Sequence, residues 1–291
     1  MIMKISFLVF FIVVVLFISA LAYFNLQKID STSDQINTFV SPSVNLQLKQ
    51  ISENSSSYVE YNNELVYTVK YQSSSELTYD GKPVIIFVGA EWCPYCGAEI
   101  WSLVIALSRF GNISGLRYME SSSTDIYPDV PTFTLENLSY HSNYISVLAY
   151  EYQNRYHEPL QSVPQNIYLM WNQLANGSIP FLDIAGIYYQ VGTTNDPGLL
   201  SGHNWTYVIK ELGINDTLSR QIYSTANLIT AEICSVDGNQ PSQVCNASAV
   251  QHYESSLGVQ VRTDLGYFQY NYISSLNLDN LLQQYEIKRI I

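Results

Sequence analysis

The chain has 291 residues, 47% of them hydrophobic types, which is enough to bury a core and excludes a disordered tail. Thirteen Lys and Arg against 25 Asp and Glu leave a net charge of −12, with no basic run longer than Lys288-Arg289, so no nucleic acid is expected as a partner. Only 13% of residues are charged, about half the usual share, while Tyr contributes 24. A surface of neutral polar groups does not depend on ionisation for solubility, which points to an extracellular and acidic setting.

From Ile5 to Phe24 the chain runs without charge, Gly or Pro. Twenty helical residues span about 30 Å, the thickness of a bilayer core. Lys4 and the terminal amine precede the run and place the remainder outside. Ala20-Leu21-Ala22 resembles a signal-peptidase site, so a cleaved signal peptide is the alternative to a single-pass anchor. The run is long for a signal sequence, and the anchor is preferred; both readings export the rest. Sequons begin at Asn54, Asn112, Asn137, Asn176, Asn204, Asn215 and Asn246, all candidates for glycosylation of an exported chain. Residues 25–57 are polar and Ser-rich and are expected to form a linker, with a short helix around Val44–Ile51.

The folded part is expected over 58–250. Pro83–Gly89 is a β-branched run suited to a strand buried on both faces. After Ala90-Glu91-Trp92-Cys93-Pro94-Tyr95-Cys96, apolar residues at Ile100, Leu103, Val104 and Leu107 have helical spacing. Gly111 ends that helix and Gly115–Glu120 reads as the next strand of a β-α-β unit. Strands are expected at Thr132–Leu138 and Tyr144–Tyr152, a helix at Gln165–Ala175, and a hairpin from Ser178–Gly186 and Ile187–Val191. Helices follow at Asn204–Leu212 and Thr217–Ile233, and residues 251–291 form a C-terminal extension.

The four cysteines fall in two pairs, Cys93/Cys96 and Cys234/Cys245, and an even number in an exported chain favours disulfides. A zinc site is disfavoured, since ten residues separate the second pair and no His lies close to either. No metal or cofactor is therefore expected. Exposed N–H groups and the dipole of a helix N-terminus stabilise a thiolate at Cys93, which attacks a disulfide; Cys96, one turn on, resolves the mixed disulfide. Trp92 and the intervening Pro-Tyr fit that design. A four-residue disulfide that only fastens the helix start is the inert alternative. Between Cys234 and Cys245, Asp-Gly, Asn and Pro mark a tight turn, so this pair is expected to be a structural disulfide.

The stretch AEWCPYC resembles the active-site segment of thioredoxin-like proteins, with the Pro-Tyr dipeptide of glutaredoxins, and Ile179-Pro180 resembles their cis-proline loop. CPYCGAEIW, LRYMESSS, SIPFLDI and the ITAEIC segment with its distal Cys resemble an archaeal, membrane-anchored family of unknown function with a thioredoxin-like fold. The resemblance covers about residues 80–250. It implies an α/β thioredoxin-like fold, a central mixed sheet flanked by helices, with an insertion at 121–163. It also implies that Ile179, Pro180 and Trp92 position an extended substrate peptide. The buried Asp that thioredoxins use as proton acceptor is absent, its place near Phe87 being apolar; Glu99 or Glu91 is the candidate substitute, and either is equally readable as a solvated surface carboxylate. The expected function is that of a membrane-anchored, extracytoplasmic thiol–disulfide oxidoreductase, an oxidase or isomerase of protein clients, reoxidised by a membrane redox partner. A non-catalytic cell-envelope binding protein with a locked 93–96 disulfide is the rival.

Overall fold

The computed structural model describes residues 14–15, 35–54, 68–70 and 76–257. The apolar run 5–24 therefore lies outside the described residues except for Val14 and Val15, as does most of the extension beyond Ser256. Among the described residues no helix is long and apolar enough to cross a membrane. The chain divides into two units, residues 1–38 and 39–291, and the second holds the fold.

In chain order its elements are α1 (Pro42–Asn54), β1 (Thr68–Lys70), β2 (Thr78–Tyr79), β3 (Lys82–Gly89), α2 (Pro94–Phe110), β4 (Gly111–Ser114), β5 (Arg117–Glu120) and β6 (Pro131–Thr134). There follow β7 (Ser139–Ser142), β8 (Ser146–Glu151), α3 (Gln165–Ala175), β9 (Phe181–Ile184), β10 (Tyr188–Val191), α4 (Trp205–Glu211), α5 (Thr217–Val236), α6 (Ser242–Cys245) and α7 (Ser248–Ser256). The fold class is mixed α/β.

Strand β3 is the centre because its side chains are apolar on both faces. Val84, Ile86 and Val88 pack with Ile167, Met170 and Trp171 of α3, and with Phe181 and Tyr189. Ile85 and Phe87 alternate to the opposite face, where α2 lies with α5 against it. The main sheet runs β1-β10-β9-β3-β2, with β8 also paired to β3. Only β8 is parallel to β3; β9 is antiparallel to it, and β10 and β1 continue the antiparallel order.

Two expectations are corrected here. The β-α-β unit does not close on 115–120: β5 pairs with β6 in a separate two-stranded ribbon, and the strand parallel to β3 is β8. The segment 121–163 is therefore not wholly an insertion, because it supplies a strand of the main sheet. Short 111–120 pieces that mix Arg117 and Glu120 with apolar residues suit an edge ribbon, whereas Ser146–Glu151 lies along the whole apolar length of β3 from Val84 to Gly89. The additions are two ribbons, β4–β7 and β5–β6. The second lies close on α2: Thr132 Oγ1 donates to the Gly97 carbonyl at 2.9 Å, and a Cβ at Gly97 would meet Val130 Cγ1 at 3.2 Å.

The expected linker is also more than a tether. Residues 42–54 form α1, packed on α2 with Leu48 and Ser52 buried. The Arg109 guanidinium, buried at the end of α2, donates through Nε to the Ser52 carbonyl at 3.0 Å and through an Nη to Thr230 Oγ1 at 2.6 Å. Burial drives it down to about 9. At the other end, α7 packs on α5, so the first residues of the expected extension belong to the domain. Cys234, in the last turns of α5, is bonded to Cys245 of α6, both fully buried.

Two stability predictions follow from these contacts. A chain starting at residue 57 should melt lower than one starting at residue 39, by on the order of 5 °C, because it removes the Ser52 acceptor of Arg109 and the buried Leu48 of α1. Thermal denaturation of the two truncated proteins checks this. Replacing Cys234 and Cys245 together by Ser should cost about 3 kcal/mol, the entropy of a loop of roughly a dozen residues, and should leave dithiol exchange at Cys93 intact. Turnover lost with stability unchanged would make the pair a relay.

Candidate dithiol site

The site forms where β3 ends and α2 begins. Pro94 occupies the first turn, where its missing N–H costs nothing, and Cys93 is the N-cap. The usual capping oxygen is replaced by a sulfur: Cys96 N donates to Cys93 Sγ at 3.2 Å. Both cysteines are unbonded thiols. Cys93 is 3% exposed and Cys96 fully buried.

Burial and partners separate the two sulfurs. The Cys96 side chain hydrogen-bonds to Cys93 and, helped by the backbone N–H groups of Cys96 and Tyr95, holds Cys93 below the ordinary thiol range against the opposing effect of burial. Cys96 is pushed well above that range, first by burial, then by its bond to Cys93, by the charge on Cys93 and by Glu151. The first sulfur is thus the more readily ionised of the two and the second the more firmly protonated.

Glu151 was not singled out in the sequence. It is fully buried at the end of β8 and pairs in register with Gly89. The two residues share the face of the sheet that looks toward α2, since Leu148 and Tyr150 turn to the α3 side. A Cβ at Gly89 would lie 3.3 Å from Cys96 Sγ, so the glycine leaves room between that sulfur and the next strand. Glu151 Oε2 accepts from Thr134 Oγ1 at 2.5 Å and from Leu135 N at 2.7 Å, while Oε1 is buried with no hydrogen-bond partner. Burial, assisted by the charge on Glu91, raises its carboxyl to about 8. A signal was present in the sequence, as the only acidic residue in an otherwise apolar strand segment, but nothing local says which strand lies beside Cys96.

Both carboxylates named from the sequence are buried, and the reading of either as a solvated surface group is corrected. Glu99, one turn beyond Cys96, accepts from Thr193 Oγ1 at 2.5 Å, and burial raises it to about 7. Glu91 accepts from the Arg155 backbone N–H at 3.3 Å and is likewise pushed up by burial. These contacts tie Glu99 to the loop after β10, and Glu91 to the loop after β8.

Trp92 is fixed from outside the motif: its Nε1 donates to Gln153 Oε1 at 3.0 Å, its ring stacks on His157 at 4.7 Å, and its carbonyl accepts from Ser122 N at 2.9 Å. The Ile179–Pro180 bond is cis. Phe181, the next residue, pairs with Val88, which brings Pro180 to the same end of the sheet as the dithiol. Pro180 O accepts from Gly192 N at 2.8 Å, linking that turn to the end of β10. Of the sequon asparagines all but Asn204 are exposed; Asn204 caps α4 through its side-chain oxygen. Cys234 and Cys245 lie at the far end of α5 and in α6, apart from this motif in the sequence and already bonded to each other. Among the described residues no group of three or more His, Cys, Asp or Glu could hold a metal ion.

A family described as a domain of unknown function (DUF929) matches residues 67–235, which contain the dithiol, Glu151 and Pro180. No curated protein and no solved structure matches the chain.

The buried carboxyls determine a pH dependence. Glu99 and Glu151 ionise near 4.5 when unfolded but keep their protons to about 7 and about 8 when folded. The folded state binds more protons in that window, so their contribution is full below about pH 4.5 and is lost as pH rises toward 8. Melting temperature should be higher near pH 5 than near pH 8, and Glu151→Gln should flatten the slope, as calorimetry across that range would show.

Proposed function

The chain belongs to the family described as a domain of unknown function (DUF929), and because that membership carries no activity with it, we propose one from the site: a thioredoxin-like domain acting outside the cytoplasm as a protein thiol–disulfide oxidoreductase. The observation that carries the reading is the asymmetric pair at the N-terminus of α2, a Cys93 whose sulfur caps the helix and ionises more readily than an ordinary thiol beside a fully buried Cys96 that ionises less readily. Inert fastening of a helix start needs neither.

The sheet order supports the fold assignment. A parallel β3-α2-β8 unit, an antiparallel β9–β10 hairpin entered through a cis proline, and a helix α5 covering the α2 face resemble the thioredoxin-like arrangement. An exported location is supported by the apolar run 5–24, the sequons, and a buried Cys234–Cys245 disulfide, which persists in oxidising compartments.

A fall in the Cys93 pKa stabilises the reduced dithiol and so suits the pair to act as an oxidant, and the raised carboxyl of Glu151 supplies a proton on that path. A client thiolate attacks Cys93 of the Cys93–Cys96 disulfide, and Cys96 leaves as a thiolate in an apolar pocket that penalises its charge. Protonated Glu151, its Oε1 otherwise unpartnered, gives that sulfur a proton. A second client thiolate then attacks the mixed disulfide and releases Cys93, whose low pKa makes it a good leaving group. The client loses two electrons and the dithiol gains them; a membrane redox partner takes them away. Trp92, next to Cys93 in the chain, and the Ile179–Pro180 turn, at the same end of the sheet, orient the incoming chain, whose backbone can add along the turn as an extended strand.

Cys96→Ala should trap client proteins on Cys93 as mixed disulfides, and Cys93→Ala should trap none; equal trapping, or a Cys93–Cys96 potential below about −300 mV, would make the bond structural. Glu151→Gln should slow reduction of the 93–96 disulfide by on the order of 10-fold or more near pH 6 while leaving the Cys93 pKa in place, as measured by stopped-flow reaction with a dithiol and by thiolate absorbance.

A further inference from the structure

Around Cys93 the surface is built by three segments that are not part of the dithiol motif. The turn between β5 and β6 brings Asp125, Ile126 and Tyr127. Ile126 is 75% exposed, and the Tyr127 ring meets Tyr95 of the motif edge-on at 5.9 Å. Tyr95 itself is 42% exposed. The loop after β10 brings Asp196, exposed and next to the Gly198 backbone that lies against the Tyr127 ring. Across the site the loop after β8 presents Tyr156, 72% exposed, with His157 stacked on Trp92 and Glu158 exposed beside it. Large exposed apolar groups thus stand on the two segments that pack against the motif through Tyr95 and Trp92, the kind of exposure that marks an interaction surface.

The charge on this rim has one sign. Asp125 and Asp196 sit on the turns beside the motif, an oxygen of each accepting from the Ile126 and Gly198 backbone N–H groups of its own turn, and their charges are felt at Tyr95, that of Asp125 also at Cys93. The cation of the same region, Arg155, is turned inward: it pairs with Asp129 at 2.9 Å and Glu120 at 3.7 Å, and its side chain is only 11% exposed. Ordinarily a positive neighbour stabilises an attacking thiolate. Here the stabilisation comes from hydrogen bonds inside the motif, which leaves the rim free to carry negative charge for a different purpose.

We propose that this aromatic and acidic rim selects clients, binding extended polypeptides whose cysteine is flanked by apolar and cationic residues. The proposal rests on the thiol–disulfide reading above and adds the substrate class. Tyr95, Ile126 and Tyr156 bury the apolar neighbours of the client cysteine; Asp125 and Asp196, with Glu158 opposite, attract its Lys or Arg. Clients rich in acidic residues are repelled, and so is a second copy of this acidic chain, which keeps the dithiol from oxidising its own kind.

The experiment uses the full chain, reduced and in detergent micelles. Its probes are short peptides whose single cysteine carries a neutral 2-thiopyridyl group. Cys93 thiolate attacks the peptide sulfur, pyridine-2-thione leaves and is read by absorbance, and Cys96 then displaces the peptide thiol, leaving the 93–96 disulfide. A Lys-Phe-Cys-Leu-Lys core should react about 10-fold faster than Glu-Phe-Cys-Leu-Glu at low salt, with the ratio shrinking toward one at high salt. It should also outpace Lys-Ser-Cys-Ser-Lys by several-fold. Asp125→Asn with Asp196→Asn should collapse the charge ratio, and Ile126→Ser with Tyr156→Ser the apolar one; each ratio cancels any change in the reactivity of Cys93 itself. A neutral reference, 2,2′-dipyridyl disulfide, separates the two failures. Reaction with the reference but equal rates for all peptides overturns the rim proposal alone. No reaction with the reference or the peptides overturns the oxidoreductase reading, and the rim proposal falls with it.

Discussion

The hydrogen bond from Cys96 to a sulfur standing at an N-cap position sets the requirements that the surrounding structure meets. A capping sulfur must sit in extended backbone while the next residue begins the helix, and Cys93 at φ −78° and ψ 117° followed by Pro94 does so. The same geometry buries Cys96 one turn along, against β3. The second sulfur has no solvent, and a buried carboxyl, Glu151, stands on the strand next to β3 close enough to act on its ionisation. Gly89 is the spacer that lets sulfur and carboxyl share that corner: a side chain there would strike Phe87 at 2.6 Å as well as Cys96.

The ribbons added between α2 and β8 act on this corner from outside. Thr132 and Val130 close on Gly97 and hold the first turn of α2, while Thr134, at the end of the same strand, binds the Glu151 carboxyl. One short strand thus contacts both the helix that carries the dithiol and the buried carboxyl of Glu151, so loss of that strand would loosen the start of α2 and expose Glu151 together. The loops leaving it, and the loop after β8 with Arg155 at its centre, form the walls of the surface around Cys93.

Buried acids are costly when ionised, and among the described residues no cation is one of the groups that shift the buried Glu99 or Glu151. Their neutral forms are favoured at low pH, where the two carboxyls cost little, and Glu151 keeps its proton up to about 8.

From the sequence alone came the dithiol, the apolar β3, the helices over 165–175, 204–212 and 217–233, the β9–β10 hairpin and the pairing of Cys234 with Cys245. Each is a local matter: periodicity, capping, turn chemistry and cysteine spacing act within a few residues. Which strand lies beside β3 was decided by the tertiary structure, because 117–120 and 146–151 are both short and strand-like, and only packing over the full length of β3 distinguishes them. The same holds for Glu151, which looks like one acid in a strand until register sets it against Gly89 and Cys96. It holds too for residues 42–54, polar enough to pass for a tether, whose one buried stripe matters only because Arg109, 57 residues away, needs the Ser52 carbonyl. Long-range pairing leaves no trace in local pattern, since the partners that give these residues their roles are distant in the chain and meet only when it folds.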